Sequence, residues 1–183
     1  MGWLLLILGI ALWIGAHFFK RLAPEQRAAL GEKGKGPVAL GILAGLVLMV
    51  IGYRMAPFVP VWNPPLFLIH LNNLLMLLAV LLFGMSATTG RLRGRMRHPM
   101  LAGVKTWAVA HLLVNGDLAS ILLFGSMLGW AVASVILINK AGPWVDRPAP
   151  GGAKGDVKLV VITLVVYGVI AAIHAWLGVS PFG

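Results

Sequence analysis

Long apolar runs alternate along the chain with short polar or proline-rich connections. Runs long enough to cross a bilayer, or nearly so, lie at about 2–19, 37–55, 65–86, 99–116, 118–139 and 157–178, set against the roughly 20 residues that a helical crossing needs. The pattern predicts an all-α fold, a polytopic transmembrane helix bundle of six helices. Only Asn115-Gly116-Asp117 parts the fourth run from the fifth, a turn signal that predicts a tight antiparallel hairpin with Asp117 capping the helix that follows. Pro24 through Gly31 sets a proline at a helix start and a glycine past its end, which reads as two turns of surface helix. Residues 56–65 hold four prolines and Trp62, an extended stretch anchored at the interface by its aromatic ring. Residues 143–155 are rich in proline and glycine and are expected to be a mobile linker. The organisation expected is one membrane domain over 1–183, with a core at 1–140, a linker at 141–156 and a last helix at 157–178.

Composition agrees with this pattern and narrows the function classes. Hydrophobic residues make up 60% of the 183 positions and charged ones 11%, with a mean hydropathy of +0.93, values outside the range of ordinary soluble domains. Lys20 and Arg21 follow the first run and no basic residue precedes it, the reverse of a secretory signal peptide, so it is expected to remain as a spanning helix. The net charge of +10 comes from 15 Lys and Arg residues. Five lie between Lys20 and Lys35, four at Arg91, Arg93, Arg95 and Arg97, and four at Lys140, Arg147, Lys154 and Lys158. These are the first, third and fifth connections, so the positive-inside rule makes them cytoplasmic and places both termini on the non-cytoplasmic side. Such a polybasic surface suits the anionic headgroups of a lipid bilayer, and no nucleic-acid partner is expected. The absence of cysteine excludes disulfides, thiolate metal sites, iron–sulfur clusters and covalent c-type haem. Glycines at 41, 45 and 52, and at 125 and 129, form small-residue faces expected to pack helices closely within the bundle.

Chemistry concentrates between Arg97 and Asp117, where His98, Lys105, His111, Asn115 and Asp117 interrupt an apolar segment. Ionisable groups at such depths are costly and point to function. Trp107, His111 and Asn115 follow at four-residue steps on one helix face, and His70 stands one turn before Asn73. Two imidazoles facing each other across a bundle is the arrangement that ligates haem in membrane cytochromes. By helical rise, His70 and His111 lie within about 7–9 Å of the non-cytoplasmic edge, with His174 on the same side. His17 and His98 belong near the cytoplasmic side. The plain alternative for each histidine is an imidazole hydrogen-bonded to backbone. Lys105 is expected to snorkel toward the headgroups. Arg91 through Arg97 are a topology signal that is also suited to hold a haem propionate or another anion. The tryptophans at 3, 62, 130, 144 and 176 are expected as interfacial anchors.

The run RHPMLAGVKTWAVAHLLVNGDLASILLFGSMLGW, together with Gly52-Tyr53, Trp62, Pro64 and His17, resembles the NnrU-type membrane proteins over roughly residues 1–140. The resemblance implies a multi-pass protein of the bacterial inner membrane linked to denitrification, with nitrite or nitric oxide reductase components as partners. The chain is also similar to zeta-carotene isomerases, haem b enzymes that isomerise a cis double bond when their iron is reduced. That similarity implies haem b as cofactor, His17 and His111 as iron ligands, and a redox, sensing or isomerase-like role. Helical rise separates these two histidines by about 15 Å along the membrane normal, whereas axial ligands stand nearly level with one iron. A hairpin that stops short of the interface brings His111 deeper; otherwise His70 is its partner. Lys105 or the basic stretch Arg91 to Arg97 would neutralise the propionates, and His98, Trp107 and Asn115 complete the candidate cofactor-binding residues. Arg97-His98-Pro99 followed by Gly103 also resembles the opening of the cofactor-binding part of isoprenylcysteine-type membrane methyltransferases, which implies S-adenosylmethionine near Arg97 and His98; the acidic pair of those enzymes is missing here. A third expectation is a non-catalytic assembly or regulatory partner of a reductase.

Overall fold

Lipid offers a peptide group no hydrogen-bond partner, so each apolar run must satisfy its own backbone as a helix. The computed structural model describes residues 1–182 and shows this for all six runs. The helices are α1 (Gly2–Leu22), α2 (Pro24–Ala29), α3 (Lys35–Met55), α4 (Leu68–Met85), α5 (Pro99–Val114), α6 (Leu118–Lys140) and α7 (Ala153–Trp176). Among the described residues no strand occurs, only an isolated bridge between Pro60 and Asp117. Five of the helices are long and apolar enough to cross a membrane, which makes this a multi-pass membrane protein. The run at 99–116 yields the exception: α5 has 16 residues, about 24 Å of helix against an apolar core of about 30 Å. The short surface helix α2 begins at Pro24, and Gly31 beyond it takes φ +52°, a conformation that favours glycine.

The chain divides into two compact units. The first comprises residues 1–62 and 117–126. Its centre is the α1–α3 pair, packed along glycines. A methyl group added at Gly9 would lie 2.5 Å from the amide nitrogen of Met49, and one at Gly45 would lie 2.8 Å from that of Trp13. At Gly52 it would strike the backbone of Leu6. Backbone-to-backbone approach replaces the hydrophobic driving force that helices lack in lipid. Leu6, Ile10 and Met49 are the buried side chains of this seam. Gly125 and Gly129, by contrast, have open space where a Cβ would stand.

The second unit comprises residues 63–116 together with those from 127 on. Here α4 packs against α5 and α7 around Leu82, Met85 and Leu159. The segment expected to be a mobile linker is tied to residues 89–97. Arg97 donates to the carbonyls of Gly142 (2.8 Å) and Pro143 (3.3 Å), and Arg147 donates to that of Gly94 (2.8 Å). The Arg147 guanidinium also lies 5.6 Å from the ring centre of Trp144. Glycines make the clasp possible, because a Cβ on Gly155 would stand 2.5 Å from the amide nitrogen of Gly90. The flexible composition of this segment is a local property, whereas the surface that holds it exists only once the chain has folded. Gly155→Val is therefore expected to open the clasp and create protease-sensitive sites within 141–152, read by limited proteolysis in detergent, while Gly152→Val, with open space at its Cβ, leaves the wild-type pattern.

Candidate functional site

A helix brings residues four apart onto one face, and the fold uses that spacing twice in the same way. In α1 the Nδ1 of His17 lies 2.8 Å from the Trp13 carbonyl, and in α5 the Nδ1 of His111 lies 3.0 Å from the Trp107 carbonyl. Each imidazole also stands against the tryptophan of its own pair, with ring centres 4.4 Å and 5.3 Å apart. A carbonyl only accepts, so Nδ1 must carry the proton and the lone pair of the neutral ring resides on Nε2. That tautomer, fixed by a backbone acceptor, is the one ligating histidines adopt. His174 has the same relation to Ile170, at 2.8 Å. The Trp-x-x-x-His spacing at Trp13–His17 and Trp107–His111 is legible in the chain, but spacing alone does not tell Trp13 from an interfacial anchor.

The other candidates divide into those already held by protein and those still exposed. Asn115, expected beside the His111 ring, donates its amide to the His111 backbone carbonyl (2.8 Å) and so closes the end of α5. Arg97 and His98 converge on one acceptor, the Asn139 Oδ1, at 3.0 Å and 2.9 Å, which ties the start of α5 to the end of α6. Lys105 is half-buried on α5, and His70 lies on an exposed face of α4. Beside His70, the amide of buried Asn72 donates to the Asn73 Oδ1 (3.2 Å). Trp130 is buried, unlike the interfacial anchor expected of it, because its place on α6 turns it into the protein. No cluster of three or more His, Asp or Glu side chains able to hold a metal occurs among the described residues; a haem iron takes at most two protein ligands.

A second polar group was not anticipated. Asp117 caps α6 as expected, its Oδ1 accepting from the Ser120 amide at 3.0 Å. Its other oxygen accepts from the Ser120 hydroxyl. Ser120 Oγ in turn lies 2.8 Å from the hydroxyl of Tyr53, 67 positions away on α3. Phe124 packs edge-on to the Tyr53 ring at 6.4 Å. Asp117 and Ser120 are both buried, and the backbone of residues 59–60 covers the helix start through the Leu118 amide, which donates to the Val59 carbonyl at 2.9 Å. The Asp-x-x-Ser cap was visible in sequence as a local signal, whereas the tyrosine had none.

The NnrU protein family matches residues 5–181 of the chain, nearly its whole length. The chain belongs to the NnrU family. This family match runs through α7, beyond the residue near 140 where the motifs themselves stop. No curated protein and no solved structure matches the chain.

Proposed function

We propose that this NnrU-family protein is a haem b protein of the bacterial inner membrane, linked to nitrite and nitric oxide reduction, with His17 and His111 as its imidazole ligands. The observation that carries the reading is the recurrence of one device, a histidine whose Nδ1 proton is held by the carbonyl of a tryptophan four residues earlier. The donor chemistry fits the group: neutral imidazole with its lone pair at Nε2 suits haem iron, and no cysteine competes. Trp13 and Trp107 hold the ring tautomers through their backbones, and their indoles pack on the imidazoles. Lys105, with Arg93 and Arg95 of the 91–95 turn, supplies cations for the propionates, since Arg97 and His98 are engaged by Asn139. When bound, haem b supplies one-electron redox or ligand-sensing chemistry.

Six helices traverse the membrane in this reading, with both termini on the non-cytoplasmic side as the Lys and Arg distribution directs. In this reading the turn that follows α5 stops short of the membrane surface. Support for this comes from the 16-residue length of α5 and the cover that Val59 provides over the start of α6. His111 is then deeper than a full crossing would leave it.

The test is an absorption spectrum of the protein purified in mild detergent, first oxidised and then reduced with dithionite. A Soret band with sharp reduced α and β bands, at near one haem per chain, is the expected result. A featureless visible spectrum after growth with haem precursor overturns the reading and leaves the assembly-partner role, which co-purification with a reductase would then test.

A further inference from the structure

The Asp117–Ser120–Tyr53 chain does more than cap a helix. An ionised carboxylate only accepts hydrogen bonds, so it draws both the amide and the hydroxyl proton of Ser120. A serine has one proton to give. With that proton directed at Asp117, Ser120 Oγ must accept from Tyr53, and the tyrosine hydroxyl donates inward. Every donor is then committed, and Tyr53 presents only lone pairs to an outside partner. If Asp117 is neutral and its Oδ2 donates to the Ser120 hydroxyl, both hydroxyl bonds reverse, the Ser120 amide still donates to Oδ1, and Tyr53 presents its proton outward. The chain therefore has two complete arrangements, distinguished by one proton on a buried carboxyl.

The surroundings allow both. Asp117 is buried without an ion pair among the described residues, and its two oxygens meet the amide and hydroxyl of Ser120. Residues 56–62 pack over the α6 start and contain no titratable side chain. On α3 the titratable group facing the site is Tyr53, and its neighbour Arg54 is exposed. On the first part of α6 Asp117 has only Ser120 and apolar residues for company. Phe124 restrains the Tyr53 ring, so the hydroxyl stays in register with Ser120.

We propose that Tyr53, Ser120 and Asp117 form a one-proton relay and store at the α3–α6 contact of the first unit, independent of any cofactor. A proton from hydronium, which leaves as water, binds the Tyr53 oxygen as the Tyr53 proton passes to Ser120 Oγ and the Ser120 proton passes to Asp117 Oδ2. No electron moves, both hydroxyls are restored, and the product is a neutral Asp117. Tyr53 thereby becomes a hydrogen-bond donor or acceptor according to the state of Asp117.

Infrared difference spectroscopy between alkaline and acid buffer, on the full chain in lipid nanodiscs, tests this. The wild type is expected to gain a carboxyl C=O band and, in step with it, a shift of a tyrosine C–O band. Asp117→Asn removes both signals. Ser120→Ala keeps a carboxyl band and loses the tyrosine shift, while Tyr53→Phe loses the tyrosine shift alone. The other four acidic residues contribute carboxyl bands that the Ser120 change leaves untouched, so the wild type against Ser120→Ala remains decisive even if Asp117→Asn fails to fold. A tyrosine band that stays fixed while Asp117 is protonated, or that still shifts in Ser120→Ala, overturns the relay. Absence of any Asp117-dependent band reduces Asp117 to a helix cap and also overturns it.

Discussion

Gly52→Leu prevents α1 and α3 from assembling, and the protein is recovered aggregated or as a form that unfolds at much lower denaturant. A Cβ at position 52 would meet the amide nitrogen and Cα of Leu6, and neither of these is the movable end of a side chain. Overpacking costs about 1–3 kcal/mol where side chains adjust, and a backbone obstacle leaves only separation of the helices. In lipid that separation forfeits the close van der Waals contact on which helix association depends. Gly52→Ala is expected to give a smaller loss in the same direction. Two controls isolate the cause: Gly41→Ala, whose Cβ would sit 3.6 Å from that of Ala16, and Gly15→Leu, where the space is open. Both should keep the wild-type elution profile and unfolding midpoint. A Gly52→Leu protein indistinguishable from these controls would show that the α1–α3 seam is not needed for stability.

If the protein holds haem b as proposed, His111→Ala is expected to remove the reduced α band, and His17→Ala to do the same if the two imidazoles share one iron. Each loses an Nε2 lone pair whose orientation is set by a helix carbonyl. Trp107→Phe is expected to retain the haem, because the group holding the His111 proton is the backbone carbonyl of residue 107 and not its indole. That variant separates ligand positioning from ring packing, which the alanine changes cannot do. Retention of haem in His17→Ala, with loss in both His70→Ala and His111→Ala, would move the axial pair to His70 and His111. Full retention in His111→Ala would remove this residue from the iron.

Much of the architecture is written locally. The apolar runs became helices at close to their expected positions, since in lipid a helix is the only way for such a run to satisfy its own backbone. Pro24 and Pro99 begin helices, and Asp117 caps one, because each acts on amides within one turn. The Trp-x-x-x-His pairs are local as well: four residues along a helix suffice to put a carbonyl under an imidazole. Length was legible less sharply, for run 99–116 includes the polar turn residues Asn115 and Gly116 that do not join α5.

Long-range partners follow a different logic, because no residue advertises what will be folded against it. Nothing near Tyr53 in the chain announces Ser120, and nothing about Asn139 reveals that Arg97 and His98 will both claim its oxygen. Glycines at 90 and 155 look like loop flexibility until their mutual approach makes them a clasp. The sequence by itself determined the membrane class, the positions of the helices and the cap at Asp117, all set by hydrophobicity and by contacts within a helical turn. Only the tertiary structure decided which glycines are indispensable, which cations are already spent on protein acceptors, and that Asp117 sits at the end of a hydrogen-bonded chain. These depend on distances between segments far apart in sequence, and those distances exist only once the helices have packed.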